Sequence, residues 1–358
     1  MLIDQAPYEL TVAKKAPLLL AELNSLTAHH RKFCSEYESV VAAQWPNYVV
    51  ANQLAAVPYL AVSLFKHLSL KSIPDSEVFK TLYSSGTTGN PSKIALDRET
   101  AGLQSKTLVK IMQHWLGKER RPMLIIDKPS ILDARNSFSA RAAGIKGLSF
   151  MGRNHCYALN EDMSVNIDVV QQFCSEFAAK PVLVFGFTFM VWQYFVEQLK
   201  QSKQRISLPN AILLHSGGWK KLEDRAVSNA TFKQAVLEYT DIPKVHNFYG
   251  LVEQVGSIFV ECERGHLHCS SYSDVLVRDA ETWRPLPLGR EGILQLMSVL
   301  PKSYPGHSLL TEDRAVILGE DDCPCGRKGK YFDIKGRLPK VEMRGCSDTF
   351  RPTVRGQS

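Results

Sequence analysis

From residue 79 to residue 249 the chain alternates short apolar runs with longer stretches of helical spacing, and that alternation leaves few folds open. Residues 79–83, 122–127, 181–186, 211–215 and 244–248 read as strands, and residues 98–115, 165–179, 191–201 and 223–239 as helices. A repeat of this kind predicts an α/β fold with a largely parallel sheet. Ahead of it, residues 16–26 and 33–45 read as helices, and Pro46-Asn47 ends the second. Residues 52–70, interrupted by Pro58, read as a bent connection. After Tyr249 the texture changes. Residues 258–260, 275–278, 292–296, 315–318 and 331–334 are short strand candidates between turns, which predicts a smaller, more antiparallel β region. The organisation expected is a mostly helical segment at 1–75 packing on an α/β core at 76–250, a β-rich part at 251–337 and a short tail at 338–358.

Composition narrows the function classes. Hydrophobic residues make up 44% and charged residues 22% of the 358, which excludes a disordered chain. The net charge of +7 suits phosphate ligands and is weak support for nucleic acid as a partner. No apolar run is long enough for a membrane span, and the first residues lack the order of a secretory signal, so a cytoplasmic location is expected. Eight cysteines then read as thiols or metal ligands rather than disulfides. His29-His30 reads as a surface pair.

The sharpest segment is Leu82-Tyr83-Ser84-Ser85-Gly86-Thr87-Thr88-Gly89-Asn90-Pro91-Ser92-Lys93. Glycines allow close backbone approach, free N–H groups and hydroxyls bind anions, and Lys93 adds positive charge. Its spacing is not that of a P-loop, because Gly86 and Gly89 stand too close together.

This segment resembles the phosphate-binding loop of the adenylate-forming enzymes. Four further stretches stand in that superfamily's order. His215-Ser216-Gly217-Gly218-Trp219-Lys220 resembles its adenine-binding stretch. Asn247-Phe248-Tyr249-Gly250-Leu251-Val252-Glu253 resembles the motif whose Tyr packs on the nucleotide and whose Glu holds magnesium. Leu310-Thr311-Glu312-Asp313 resembles the ribose-binding motif, and Phe332-Asp333-Ile334-Lys335-Gly336-Arg337 the hinge-proximal motif whose Arg contacts the nucleotide. The closer likeness is to LuxE-type acyl-protein synthetases, carried by 139–145, 184–189, 215–221, 303–307 and 344–347 over nearly the whole chain. The resemblance implies the large-domain adenylate-forming fold, with parallel α/β layers and a smaller antiparallel region. It implies ATP and magnesium as cofactors. Ser84, Ser85, Gly86, Thr87, Thr88, Gly89, Ser216, Gly217, Gly218, Tyr249, Gly250 and Asp313 would bind nucleotide, with Lys93, Glu253 and Arg337 in catalysis. Only 21 residues follow Arg337, so the mobile C-terminal domain of the full-length ligases, about 100 residues as small domains go, is expected to be lacking.

Two cysteine features remain. Cys262, His268, Cys323 and Cys325 make a thiolate and imidazole set suited to structural zinc. Cys269 and His266 compete for the same role, and the preference for His268 rests on the likeness to related aryl-CoA ligases. Cys346 follows Arg344-Gly345, a setting that favours a thiolate, and matches the acyl-accepting cysteine of the LuxE-type family.

The function implied is activation of a carboxylic acid, by family a fatty acid, to an acyl-adenylate. Transfer to Cys346 and delivery to a LuxC-type acyl reductase partner would follow. Two alternatives stand beside it: an acyl- or aryl-CoA ligase using free CoA, and a catalytically silent nucleotide-binding subunit. No nucleic acid partner is expected.

Overall fold

The structure is a computed structural model that describes residues 2–84, 91–133, 140–219 and 226–338. The chain opens with helix α1 (Val12–Phe33), whose buried Leu19, Leu23 and Leu26 fall on one face at helical spacing. The cap of α1 comes from far away: the Asp321 carboxylate accepts from the Val12 N–H at 2.9 and 3.1 Å. His30 continues the same face, four residues after Leu26, and is fully buried. The expected surface pair is therefore corrected for His30, whose ring nitrogens bond Ser72 Oγ at 2.7 Å and the Pro301 carbonyl at 3.1 Å.

Helix α2 (Ser35–Gln44) and the two-residue strand β1 (Leu60–Ala61) follow. Strands β2 (Lys80–Tyr83) and β3 (Lys93–Leu96) pair antiparallel in a ribbon of their own. The strand expected at 79–83 thus forms at Lys80–Tyr83, but it is not one of the parallel sheet. Helix α3 (Arg98–Leu116) begins where Asp97 accepts from the Thr100 N–H at 2.6 Å and ends at Gly117, whose φ of +78° suits glycine.

The parallel strands come next: β4 (Arg121–Ile125), β5 (Gly152–Tyr157), β6 (Val182–Phe187), β7 (Ala211–Ser216) and β8 (Lys244–Tyr249). Helices α4 (Ala140–Leu148) and α5 (Ile167–Phe177) connect the first three. After β6 a helical stretch runs through α6 (Thr188–Met190), a wide turn at Val191–Val196 and α7 (Glu197–Gln201). Helix α8 (Asn229–Thr240) precedes β8. In space the strands stand β5-β4-β6-β7-β8, all parallel. The order reverses between β4 and β6, because β5 lies on one side of β4 and the later strands on the other. In open α/β sheets such a switch point, at the carboxyl ends of the strands, is where ligands bind.

Strand β9 (Phe259–Glu261) pairs antiparallel with β8 and carries the sheet onward. Strands β10 (Leu267–His268), β11 (Ser273–Arg278), β12 (Glu291–Ser298), β13 (Ser308–Glu320) and β14 (Lys330–Arg337) complete it in the order β9-β10-β14-β13-β12-β11. Both halves belong to one twelve-stranded sheet, and β1 pairs with β13. Helix α1 is fixed against the antiparallel half by buried Lys15, 3.3 Å from Asp274. Among the described residues no helix is long and apolar enough to cross a membrane.

Candidate functional site

The carboxyl ends of β7 and β8 lie side by side, with Ser216 opposite Phe248. Beyond β7 the chain turns at Gly217, whose φ of +82° strains any other residue, and continues through Gly218. His215 is buried beneath this turn. Burial lowers its pKa to about 3, so its ring is neutral, bonded to Thr188 Oγ1 at 2.9 Å.

At the end of β8, Tyr249 reaches toward β13. Its hydroxyl donates to Asp313 Oδ2 at 2.6 Å, and Arg337 Nε stands 3.4 Å from Asp313 Oδ1. Asp313 in β13 and Arg337 in β14 are register partners, so strand pairing brings these two together, and the Tyr249 side chain reaches them from β8. Burial, and then the Asp313 carboxylate, push the Tyr249 phenol well above its ordinary pKa, so it stays protonated and donates. Asp313 is buried, whereas the Arg337 side chain is 68% exposed and free to meet a ligand.

Gly250 and a short turn at Val252–Gln254 follow. Glu253 is buried. Burial raises its pKa, and the Ser92 hydroxyl beside it works the other way. Gln254 Nε2 donates to the Gly306 carbonyl at 2.7 Å and locks the turn to the loop ahead of β13. Ser92 in turn sits at the foot of the β2–β3 ribbon: the Ser92 N–H donates to Ser84 Oγ at 2.8 Å, and the Ser84 N–H to the Ser92 carbonyl at 3.1 Å. Ser84 and Ser92 thus pair across the ribbon, and Ser92 stands beside Glu253. Lys93 begins β3, exposed. Ser85, Gly86, Thr87, Thr88, Gly89, Lys220 and Cys346 lie outside the described residues.

A second cluster stands apart from these. The ligand atoms of Cys262, His268, Cys323 and Cys325 all lie within 4.8 Å of one another. Cys262 and Cys323 Sγ are 3.9 Å apart, and Cys325 Sγ is 3.3 Å from His268 Nε2. A tetrahedral zinc with bonds of about 2.3 Å to sulfur and about 2.0 Å to nitrogen has edges near 3.8 and 3.5 Å, so this set fits that ion. Cys269 and His266 are turned elsewhere. Burial pushes the Cys269 thiol up to about 12, and His266 Nδ1 faces Asp333 at 3.3 Å.

Arg327, which carries no motif signal beyond following Cys325 by two residues, supports this cluster. Burial works against the Cys325 thiolate, but the Arg327 N–H and guanidinium outweigh it and lower its pKa. The guanidinium also lies 3.8 Å over the Trp115 ring and pairs with Glu263 at 2.6 Å. The sequence reading likewise missed the Asp127–Arg141 pair at the switch point. Asp127 is buried just past β4, and Arg141 Nε of α4 is 3.6 Å from its carboxylate. No spacing marks two such residues as partners.

The family model described as acyl-protein synthetase, LuxE, matches residues 1–354. Two curated relatives bear the name long-chain-fatty-acid–luciferin-component ligase. The one from Vibrio harveyi is 22% identical over 83% of this chain and 78% of its own length. The one from Aliivibrio fischeri is 23% identical over 81% and 77%. Among solved structures, an open conformation of 2-hydroxyisobutyryl-CoA ligase in complex with its acyl-AMP and CoA covers 92% of this chain and 76% of its own, with a TM-score of 0.67 at 17% identity. At that identity the likeness is one of fold: the chain has the adenylate-forming architecture.

Proposed function

The chain belongs to the LuxE acyl-protein synthetase family and is an ATP-dependent acid ligase, and on that premise we propose that it activates a fatty acid and holds it as a thioester on Cys346. The observation that carries the nucleotide half is the convergence of Tyr249, Asp313 and Arg337 from three strands. Asp313 would accept the ribose hydroxyls, the Tyr249 ring would pack on the nucleotide, and the exposed Arg337 would reach it. Ser216, Gly217, Gly218 and Gly250 would border the adenine. The loop from Ser84 to Gly89, with Lys93, would cradle the phosphates.

In the first step a carboxylate oxygen attacks the α-phosphorus and pyrophosphate leaves, which forms an acyl-adenylate. Positioning and charge neutralisation carry most of such a step. Glu253 would hold the magnesium ion that neutralises phosphate charge; a cation favours a carboxylate that burial otherwise penalises. In the second step the Cys346 thiolate attacks the acyl carbon and the bond to AMP breaks. A partner acyl reductase of the LuxC type would then take the acyl group. Cys262, His268, Cys323 and Cys325 would hold a structural zinc that ties the β9–β10 ribbon to the 323–326 turn.

The test is Cys346→Ser. This variant should keep carboxylate-dependent ATP–pyrophosphate exchange with palmitate or myristate and lose labelled acyl group on the protein. Unchanged acyl labelling removes Cys346 as acceptor, and AMP release that depends on free CoA assigns the acceptor role to CoA.

A further inference from the structure

The switch point between β4 and β6 is a ligand position of the sheet where none of the proposed nucleotide residues lies. Its wall is Phe187, the last residue of β6. Residues 182–186 are buried and Phe187 is partly exposed, next to Ser216 in the sheet register. Two glycines flank its ring. A Cβ at Gly144 of α4 would lie 2.9 Å from Phe187 Cζ, and a Cβ at Gly217 would lie 3.2 Å from Cδ1. The ring therefore fills the gap between α4 and the Gly217 turn, with room made for it on both sides. Behind it stands an aromatic floor: Phe185 lies 6.0 Å away edge-on, and Phe248 stacks on Phe185 at 6.5 Å.

The gap has a fixed width. Helix α4 is pinned to the end of β4 by Arg141, whose Nε faces buried Asp127 and whose Nη1 lies 3.1 Å from Met190 Sδ. Helix α4 does not drift away from β6 at modest cost, because separating the pair strands a buried carboxylate.

We propose that Phe187 is the residue that sets acyl length, its ring closing an apolar slot between α4 and the Gly217 turn into which the substrate's hydrocarbon tail extends. The inference rests on the acid-activating reading above and adds to it where the tail goes and what stops it. Two substitutions should then act in opposite directions. Phe187→Ala opens the slot toward the Phe185–Phe248 floor. Gly144→Ala forces the Phe187 ring toward Gly217 and narrows it. Each methylene accommodated or refused in an apolar pocket changes kcat/KM by about tenfold or more.

The experiment is ATP–pyrophosphate exchange across straight-chain carboxylates from butyrate to stearate, for the wild type, Phe187→Ala, Phe187→Leu and Gly144→Ala. Phe187→Ala should raise the kcat/KM ratio of long to short acids by about tenfold or more, and Gly144→Ala should lower it. Phe187→Leu, which keeps an apolar side chain, serves if the alanine variant does not fold, and should shift the ratio the same way by less. Exchange that persists with an unchanged length profile, or profiles that move in the same direction, overturns the role of Phe187 and leaves acid activation standing. Wild-type protein that exchanges pyrophosphate with none of these acids overturns both.

Discussion

The Tyr249 hydroxyl meets Asp313 Oδ2 at 2.6 Å, a contact between residues 64 apart in sequence, from the last residue of β8 to the middle of β13, with three strands between the two in the sheet order. A hydrogen bond to a carboxylate contributes about 1.5–3 kcal/mol, so this one fixes the Asp313 side chain before nucleotide arrives. Tyr249→Phe should raise the KM for ATP by about tenfold with a smaller change in kcat, because Asp313, the proposed ribose partner, loses orientation but not charge. Asp313→Ala should cost more. The Arg337 side chain is 68% exposed, so its ion pair with buried Asp313 is screened and worth about 0–1 kcal/mol to the fold. Arg337→Ala should therefore leave the melting temperature nearly unchanged while exchange activity falls. An unchanged KM for ATP in Asp313→Ala would remove the ribose assignment.

The thiol cluster predicts a metal requirement. Purified protein should carry about one equivalent of zinc, and stripping it should lower the melting temperature, since structural zinc contributes on the order of 10 kcal/mol in small domains. Cys323→Ser should bind less zinc and melt earlier. Arg327→Ala should weaken zinc retention as well, because it removes the guanidinium that favours the Cys325 thiolate. Less than about half an equivalent of any transition metal in freshly purified protein would count against the site.

Buried histidines outside the thiol cluster predict an acid-side loss of stability. Burial holds His215 and His307 at about 3 and His30 well below its usual value. The unfolded chain takes up protons near pH 6.5 while the folded chain does not, so this stability is fully present above about pH 6.5 and declines below it. The slope is at most about 1.4 kcal/mol per pH unit for each histidine. The raised carboxyls of Asp127 and Glu253 carry the opposite sign, so the share of one histidine is read as a difference. Denaturant midpoints at pH 5 and pH 7.5 should lie closer together for His307→Gln than for the wild type. Equal spacing would mean that His307 already titrates normally in the folded chain.

What the sequence disclosed depended on whether the signal was local. The reading of 98–115 as a helix lands on α3 at Arg98–Leu116 because cap, periodicity and terminal glycine are all contiguous. Strand β5 escaped notice because it is an edge strand with exposed Arg153, Asn154 and His155, where one side needs no apolar residues. Helix α4 is too rich in alanine and glycine to show a face. Strand β13 was legible only at 315–318. Its earlier half buries Ser308, Thr311 and Asp313, polar residues satisfied by partners on other strands and therefore invisible to hydropathy. His30 shows the converse. Its place four residues after Leu26 marks it as buried, and residue type alone suggested a surface. The candidate nucleotide residues were legible through motif likeness, but that Tyr249, Asp313 and Arg337 converge needed the strand order, as did the Asp127–Arg141 pair.

A buried ion cluster beneath α1 yields a prediction about asymmetry. Lys15 and Lys330 both face Asp274, each at 3.3 Å, and all three side chains are buried. Burial raises the Asp274 carboxyl, but the two ammonium groups outweigh it and hold its pKa low. Lys15 also donates to the Ser273 carbonyl at 3.0 Å, and Lys330 to the Val275 carbonyl at 3.1 Å. The cluster carries one more positive charge than negative, so its members are not equivalent. Asp274→Asn leaves two buried ammonium groups facing a neutral amide and should cost about 3–5 kcal/mol. Lys15→Met leaves Asp274 and Lys330 as a matched pair and replaces a desolvated charge with an apolar chain of similar length, so it should cost clearly less. Thermal unfolding of the two variants decides the point. If Lys15→Met proves as damaging as Asp274→Asn, the anchoring of α1 depends on Lys15 itself, through its carbonyl contacts, rather than on the charge that Asp274 supplies.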